Sequence, residues 1–275
     1  MIAAAPDWVQ ALVLGVVQGL TEFIPVSSSA HLVLVPALAG WERHGLAFDV
    51  ALHLGTLAAL LIYYREDLWG MLRAVTSRTP SAERTTYRNL VLLLIIASVP
   101  VAVAGLTLEG AVEALFSSPR STAWLLFVTA AVLVGGERLH RRNRTDTPAE
   151  SAPQVGLRHA LIVGFAQAFA LLPGLTRSGL TISAGVAVGL PRPTATRFAF
   201  LLGIPAIAGA AVVQLPQVSD LGTISLLEAG VGVVAAAVSG YAAITMLVRL
   251  VSRAGIDRFA WYVVPLAIVS LIVLG

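Results

Sequence analysis

Long apolar stretches, separated by short polar segments, run through the whole chain. Six of them are long enough for a helix of about 20 residues, which is the length that a bilayer requires. These stretches are residues 46–64, 89–107, 121–138, 198–216, 229–248 and 259–275. We therefore predict six membrane-spanning helices.

Four further apolar stretches are too short to cross a bilayer. Residues 8–20 and 29–40 flank one polar loop, and residues 159–172 and 179–190 flank a second. At about 1.5 Å per residue, each reaches only part of the way across a hydrocarbon core of about 30 Å. Each pair is predicted to form a re-entrant helix hairpin, whose loop must be buried in protein or line a wet cavity.

The composition agrees with this pattern. Hydrophobic residues make up 57% of the 275 residues and charged residues 12%, whereas a soluble domain has about 25% charged residues. The chain is predicted to be an all-α polytopic integral membrane protein with a single membrane domain, residues 1–275. Cysteine is absent, which excludes disulfides and thiolate metal sites. The N-terminus lacks the basic region and cleavage site of a signal peptide.

The arginines are distributed unequally between the predicted loops. Fifteen of the 18 lie in or beside residues 65–88, 139–158, 191–197 and 249–258. The positive-inside rule makes these loops cytoplasmic. The first hairpin must then enter the membrane from outside and the second from inside. The arginines are scattered over short loops rather than gathered in a patch, so no nucleic-acid partner is expected.

The two halves of the chain resemble each other. Gly15-x-x-Gln18 followed by a proline in the first half parallels Gly164-x-x-Gln167 followed by a proline in the second. With the predicted topology, this is an inverted repeat with halves of about 1–138 and 155–275, joined by a cytoplasmic loop at 139–154. Inverted repeats with broken helices are typical of transporters.

The first polar loop carries a serine run and a histidine. Pro25 resists helix continuation, and Ser27, Ser28 or Ser29 can cap the next helix, whose N-terminus suits a phosphate. His31 falls on nearly the same helical face as Ser28, so the two can form a nucleophile–base pair. The alternative is a simple N-cap beside a histidine that serves only packing.

Two more side chains of this segment can take part in chemistry. Glu22 can orient the histidine, act as a base or bind a divalent cation. Gln18 lies one helical turn earlier on the same face, so it can share that cation or bind a hydroxyl.

The second polar loop carries an arginine at membrane depth, where charge is costly and usually functional. The planar fork of Arg177 suits two phosphate oxygens, with Thr176 and Ser178 beside it. Thr181 can cap the following helix or contact phosphate. The alternative is a structural ion pair between Arg177 and Glu22, which would still bring both loops to one site.

Other polar residues receive local interpretations. Asp49 and His53 are expected to make a local hydrogen bond, with lining of the site entrance as the alternative. Gln167 is expected to join two helices, with a substrate contact as the alternative. Arg192 and Arg197 are expected to anchor the cytoplasmic interface, and Glu137 is interpreted as a charge at a helix end.

At the two loops the chain resembles the undecaprenyl-diphosphatase family, also called the bacitracin-resistance family. The resemblance rests on Gln18-Gly-Leu-Thr-Glu22-Phe-Ile-Pro25-Val-Ser27-Ser28-Ser-Ala-His31 and on Pro173-Gly-Leu-Thr-Arg177-Ser178-Gly-Leu-Thr181. It implies a plasma-membrane hydrolase that converts undecaprenyl diphosphate to the monophosphate and so recycles the carrier lipid for peptidoglycan, cell-wall and surface-glycan synthesis. It also implies a site opening to the outer face and a divalent cation, Mg2+ or Ca2+.

By position, the resemblance assigns Gln18 and Glu22 to an acidic, metal-binding motif. It places Ser27, Ser28 and His31 in a serine–histidine segment. The second loop, with Thr176, Arg177, Ser178 and Thr181, matches the arginine segment. Many members of the family have glutamate where this chain has Gln18, and serine where it has Thr176.

The resulting hypothesis is attack by Ser28 on the terminal phosphorus. His31 or Glu22 takes the proton, and Arg177, Ser29 and the other loop hydroxyls hold the phosphates. Ser27 as nucleophile and direct attack by water remain alternatives. A lipid translocase that binds the same polyprenyl phosphate without cleaving it is the rival function. Membrane lipids are expected partners, and a homodimer is left open.

Overall fold

The computed structural model of the chain is built from helices. It describes residues 7–42, 45–77, 81–107, 119–143, 154–214 and 225–274. Over these residues the α-helices are α1 Asp7–Phe23, α2 Ser28–Ala39, α3 Leu46–Tyr63, α4 Arg65–Thr76, α5 Ala82–Thr107, α6 Pro119–Asn143, α7 Leu157–Phe169, α8 Arg177–Ala187, α9 Arg192–Gln214, α10 Leu226–Val251 and α11 Ala260–Leu274. A 3-10 turn, Ile256–Phe259, precedes α11. Most of the predicted loop 139–154 lies outside the described residues.

The six predicted spans are confirmed as α3, α5, α6, α9, α10 and, together with the 3-10 turn before it, α11, and each of these segments is long and apolar enough to cross a membrane. Several begin earlier than predicted. The second span starts at Ala82 rather than residue 89, and the fourth at Arg192 rather than residue 198. The apolar stretches end at the first charged residues, whereas the helical backbone continues beyond them with its polar side chains outside the hydrocarbon.

The four short apolar stretches form four short helices. Helix α1 ends at Phe23 and α2 begins at Ser28, while α7 ends at Phe169 and α8 begins at Arg177. Both breaks contain the predicted prolines, Pro25 and Pro173, which cannot donate a backbone hydrogen bond. The breaks therefore lie where the polar loops were predicted.

Helix α4 was not predicted, because its residues were assigned to a cytoplasmic loop. It carries exposed Trp69, Leu72 and Val75, while Met71 and Ala74 are buried against the protein. Arg73 lies over the Trp69 ring, 5.1 Å from its centroid. An amphipathic helix with aromatic and basic side chains is typical of a membrane interface.

The glycines of the repeated Gly-x-x-Gln motif mark close helix contacts. Helix α1 packs on α10, and α7 packs on α5. A Cβ atom at Gly15 would collide with the carbonyl of Gly232, and one at Gly164 with the carbonyl of Ala97. In a bilayer, small residues let helix backbones approach closely enough for van der Waals packing. The two glycines of the motif are therefore explained by the same kind of helix packing.

One buried apolar cluster includes side chains of α1, α8 and α9. Phe23 ends α1 and packs edge-on against Phe200 of α9, with ring centroids 5.5 Å apart. Ile182 of α8 and Leu202 of α9 are fully buried in the same cluster. This packing fixes the ends of α1 and α8 and therefore the side chains that they carry.

Candidate active site

The two polar loops lie against each other. The Gly174 backbone N–H donates to the Ser29 hydroxyl at 3.4 Å. Thr129 of α6 holds the second loop from the side, since its hydroxyl donates to the Gly174 carbonyl at 2.9 Å and accepts from the Thr176 N–H at 3.3 Å. Residues far apart in the sequence therefore share one site.

Glu22 is the centre of this site. Its Oε1 accepts a hydrogen bond from Arg177 Nη2 at 2.9 Å, and its Oε2 accepts from the Ser28 hydroxyl at 2.6 Å and from Gln18 Nε2 at 3.1 Å. The carboxylate is 7% exposed. The ion pair joins the C-terminal end of α1 to the N-terminal end of α8. This is the structural role for Arg177 that the sequence left open as an alternative. It leaves other N–H donors of the guanidinium for a ligand, because arginine has five.

Two helix N-termini meet at the same carboxylate. Ser28 is the first residue of α2 and Arg177 the first of α8, and both side chains bond to Glu22. Ser27 and Thr176 are the respective N-caps, and the hydroxyl of each accepts from the N–H group three residues ahead. The positive ends of both helix dipoles therefore add to the Arg177 charge, an arrangement that favours an anion.

The predicted pair of Ser28 and His31 is not formed. His31 Nδ1 lies 2.7 Å from the Ser27 carbonyl, which can only accept, so Nδ1 carries the proton. His31 Nε2 then accepts from the Tyr262 hydroxyl at 2.8 Å. The sequence placed the two side chains on one helical face correctly, but helical side chains lean back toward the N-terminus, and the ring reaches the preceding carbonyl.

The His31 imidazole has a structural role that the sequence did not indicate. Ser27 has φ of 72°, the one non-glycine residue with positive φ over the described part of the chain. Such a conformation costs about 1–3 kcal/mol and persists only where neighbouring contacts hold it. The His31 ring bonds the Ser27 carbonyl and stacks on Tyr262 of α11. His31 therefore fixes the turn that presents Ser28.

The hydroxyl side chains that were predicted to bind phosphate differ in how deeply they are buried. Ser28 and Ser29 are partly exposed, whereas Ser27 is 1% exposed. Ser178 is buried and paired with Thr176, their hydroxyls 3.1 Å apart. Thr181 was expected to cap the helix or contact phosphate, but it is fully buried and donates back to the Arg177 carbonyl at 2.7 Å. Its role is within α8, because the backbone places it one turn beyond the helix start.

His53 faces the site as well as making its local bond. Its Nδ1 donates to the Asp49 carbonyl at 2.7 Å, as predicted. Its Nε2 lies 3.8 Å from Glu22 Oε2, and the side chain is 36% exposed. Because α3 carries it beside the carboxylate, the partly exposed His53 lines one side of the site. Thr129 and Tyr262 were missed altogether, and their only sequence signal is a polar group within an apolar span.

One buried amide offers an oxygen for a cation. Gln18 is fully buried and uses its nitrogen on Glu22, while its Oε1 has no partner among the described residues. Gln167 was predicted to join two helices by hydrogen bonds, yet neither of its amide atoms has a partner there. Within the described ranges, no three His, Asp or Glu side chains gather closely enough to hold a metal. A cation at Glu22 and Gln18 would therefore complete its shell with substrate oxygens.

A second buried carboxylate lies away from this site. Glu137 was interpreted as a helix-end charge, but it is fully buried and forms ion pairs with Arg192 and Arg141. Arg197, expected only to anchor the interface, pairs with Asp67 of α4. The first network joins α6 to α9 and the second joins α4 to α9, so these arginines connect helices.

Comparisons with known proteins agree with this geometry. The protein-family model described as "Bacitracin resistance protein BacA" matches residues 11–269. A protein named undecaprenyl-diphosphatase from Geobacter sulfurreducens is 41% identical, covering 93% of this chain and 94% of its own. Proteins of the same name from Thermomicrobium roseum and Gemmatimonas aurantiaca are 42% and 44% identical, covering 97% and 94% of this chain and 98% and 95% of theirs. The chain therefore belongs to the bacitracin resistance protein BacA family.

Proposed function

We propose that this chain is a membrane phosphatase that hydrolyses undecaprenyl diphosphate to undecaprenyl phosphate and inorganic phosphate. The relatives are named for this activity over nearly their full length. The observation that carries the proposal is the hydrogen bond from the Ser28 hydroxyl to Glu22, beside Arg177. It joins a nucleophile to a base within reach of a phosphate-binding cation. The product would be the carrier lipid recycled for cell-wall synthesis.

The reaction follows from these contacts. Arg177 and the two helix N-termini bind the diphosphate and stabilise the charge that develops on its oxygens. Ser28 Oγ forms a bond to the terminal phosphorus as the bridging phosphorus–oxygen bond breaks, and its proton passes to Glu22. Undecaprenyl phosphate leaves. Water then attacks the phosphorus of the phosphoserine as its bond to Ser28 Oγ breaks. The proton held by Glu22 returns to Ser28 Oγ, and inorganic phosphate leaves with the hydrogens of the water.

Of the two bases that the sequence left open, the geometry favours Glu22. The Ser28 hydroxyl already donates to this carboxylate at 2.6 Å, whereas both nitrogens of His31 are engaged elsewhere. Ser28 is favoured over Ser27 as nucleophile because Ser27 is buried and caps α2.

A divalent cation, Mg2+ or Ca2+, fits the same place. A Glu22 oxygen and the unpartnered Gln18 Oε1 would hold it, leaving its other positions for phosphate oxygens and water. When bound, it would neutralise charge on the diphosphate.

The helix packing supports an inverted repeat with two re-entrant hairpins. Helices α1 and α2 correspond to α7 and α8, and the first helix of each pair packs on a span of the other half. Each half therefore supplies a helix that packs against the other half, as expected if the two halves form one membrane domain. With the arginine-rich loops inside, the N-terminal end of α3 faces outside. The partly exposed His53 lies on that helix, so the site is proposed to open to the outer face of the plasma membrane.

The translocase is not proposed. The relatives are named for hydrolysis, and no contact in the site favours transport over cleavage. A homodimer stays a prediction.

Phosphate release from undecaprenyl diphosphate by the purified protein in detergent tests the proposal. We expect release with Mg2+, loss in EDTA, and loss in Arg177→Ala and Arg177→Lys, since lysine lacks the planar fork. Arg253→Ala, an exposed arginine outside the site, is the matched control and should keep full activity. Failure of the folded wild-type protein to release phosphate, while still binding the lipid, would refute hydrolysis.

The double variant Ser27→Ala/Ser28→Ala separates the two mechanisms. Covalent serine catalysis predicts that turnover is abolished. Substantial remaining turnover would instead assign the attack to water, with the serines as ligands.

A further inference from the structure

The His53 imidazole, beside the candidate active site, has one nitrogen that is free to accept a hydrogen bond. Its Nδ1 lies 2.7 Å from the Asp49 carbonyl, which can only accept, so in the neutral ring Nδ1 carries the proton and Nε2 a lone pair. Nε2 lies 3.8 Å from Glu22 Oε2, beyond hydrogen-bond distance, and has no hydrogen-bond partner among the described residues. The side chain is 36% exposed, so water can reach it.

The local bond within α3 fixes the direction of this lone pair. Asp49 lies one helical turn before His53, and its carbonyl holds the ring through Nδ1. A hydrogen bond at one ring nitrogen sets the tautomer and so the role of the other nitrogen. His31 is the contrast, because its Nδ1 bonds the Ser27 carbonyl and its Nε2 bonds Tyr262. Of these two imidazoles, His53 is the one that can take part in the reaction.

The proposed reaction gives Glu22 opposite tasks in its two halves. In the first half the carboxylate takes the Ser28 proton, and in the second half it returns that proton to Ser28 Oγ. Oε2, which faces the hydroxyl at 2.6 Å, is therefore engaged while water attacks, and Oε1 is bonded to Arg177 at 2.9 Å. The attacking water needs a different hydrogen-bond acceptor to direct its own lone pair at phosphorus.

His53 lies at a suitable distance for this task. Its Nε2 and the Ser28 Oγ lie 3.8 Å and 2.6 Å from the same atom, Glu22 Oε2, so their separation cannot exceed these two distances end to end. Phosphoryl transfer needs the attacking and leaving oxygens roughly in line, with the reacting atoms about 3–3.5 Å apart before the step. A water molecule that donates to Nε2 at about 2.9 Å fits between the ring and a phosphate on Ser28.

We propose that His53 is a catalytic residue of the second half-reaction, in which its Nε2 accepts a hydrogen bond from the water that attacks the phosphoserine. The inference rests on the proposed phosphatase function. The water oxygen forms a bond to phosphorus as the bond from phosphorus to Ser28 Oγ breaks, and the proton held by Glu22 goes to Oγ. Both hydrogens of the water leave with inorganic phosphate. His53 orients the water and keeps no proton from it.

Undecaprenyl diphosphate with a radioactive terminal phosphate tests this with the purified protein in detergent and Mg2+. Samples are quenched in acid, and the label on the protein and in free phosphate is counted. In His53→Ala we expect the label to accumulate on the protein and kcat to fall by up to about a hundredfold. The ratio kcat/KM should stay close to wild type, because it contains only the steps up to the release of undecaprenyl phosphate.

Three further variants sharpen the test. His53→Gln should recover most of the rate, because its amide oxygen can accept a hydrogen bond in place of Nε2. His53→Phe keeps the shape of the ring without the acceptor and should match His53→Ala, so it takes the place of that variant should the alanine protein not fold. Leu54→Ala, at the next position on α3 and 40% exposed, is the matched control and should behave like wild type.

Three results would overturn the proposal. Wild-type kcat in His53→Ala or His53→Phe would show that no acceptor is needed there. An equal fall in kcat and kcat/KM, without label on the protein, would place the ring in substrate binding or in the first transfer. A loss that added Mg2+ restores would make His53 a cation ligand. Failure of the wild-type protein to release phosphate would refute the proposed function itself, whereas release by wild type with no label trapped in the variants refutes only this inference.

Discussion

Substituting Gly203 with alanine tests whether the position of Arg177 determines catalysis. Gly203 lies within α9 and is fully covered by the Arg177 guanidinium. A methyl group there would take the place of Arg177 Nη1 and lie 2.8 Å from Cζ. Carbon atoms in contact are normally about 3.5–4.0 Å apart, so the guanidinium must move by at least about 1 Å.

Such a displacement should have little effect on folding but a large effect on the rate of the reaction. The Arg177–Glu22 hydrogen bond is 2.9 Å long, and about 1 Å more takes it beyond hydrogen-bond distance. A misplacement of about 1 Å in an active site can cost about a hundredfold in rate, and loss of a donor to the developing charge about 100- to 1,000-fold. We therefore expect kcat to fall by about two to three orders of magnitude. The protein should still fold, because the end of an arginine side chain can move aside.

Gly209→Ala on the same helix is the matched control. Outside the backbone of its own helix, no atom of the described residues lies within 4 Å of a Cβ at Gly209, so the substitution should gain up to about 1 kcal/mol of helix stability and keep full activity. Phosphate release and thermal unfolding in detergent are measured for both variants. Near wild-type kcat in Gly203→Ala would refute the reasoning, since it would mean that Arg177 acts equally well from another position.

Three further substitutions test the other contacts. Ser28→Ala should lower turnover at least a thousandfold in the phosphate-release assay because it removes the nucleophile, and a loss below tenfold would contradict that role. Tyr262→Phe removes the donor to His31 and should lower stability by about 1 kcal/mol with little effect on kcat; a hundredfold fall in kcat would instead place the imidazole in the chemistry. Glu137→Gln leaves Arg192 without its buried carboxylate and should destabilise the protein by about 3 kcal/mol in thermal unfolding, while the folded fraction keeps its activity. An unchanged melting temperature would contradict the last prediction.

The spans and the breaks were predictable because their signals are local. A stretch of apolar residues long enough for a bilayer forms a helix whatever its neighbours, since no water is present to satisfy its backbone. Pro25 with the serines after it, and Pro173 with Thr176, ended and restarted helices within a few residues of the predicted positions. The amphipathic helix α4 gave no comparable signal, because an interfacial helix does not need a long continuous stretch of apolar residues.

The composition of the site was predictable, and its contacts were not. Charged and hydroxyl side chains at membrane depth are costly, so their presence in two loops indicated one polar site, and Glu22 and Arg177 do meet there. The orientation of His31 depended on Tyr262, which lies 231 residues further along the chain.

The class of protein, the number of spans, the two breaks and the residues available for chemistry could all be predicted from the amino-acid sequence. These depend on hydrophobicity and backbone preferences over short stretches of chain. The packing of the helices was needed to show that Ser28 bonds Glu22, that the Gly203 backbone leaves room for Arg177, and that Arg84 and Arg88 both donate to the Ala74 carbonyl. Such pairings depend on how separate helices pack, and a hydrogen bond or a cavity is made or lost by shifts of about 1 Å that no local pattern encodes.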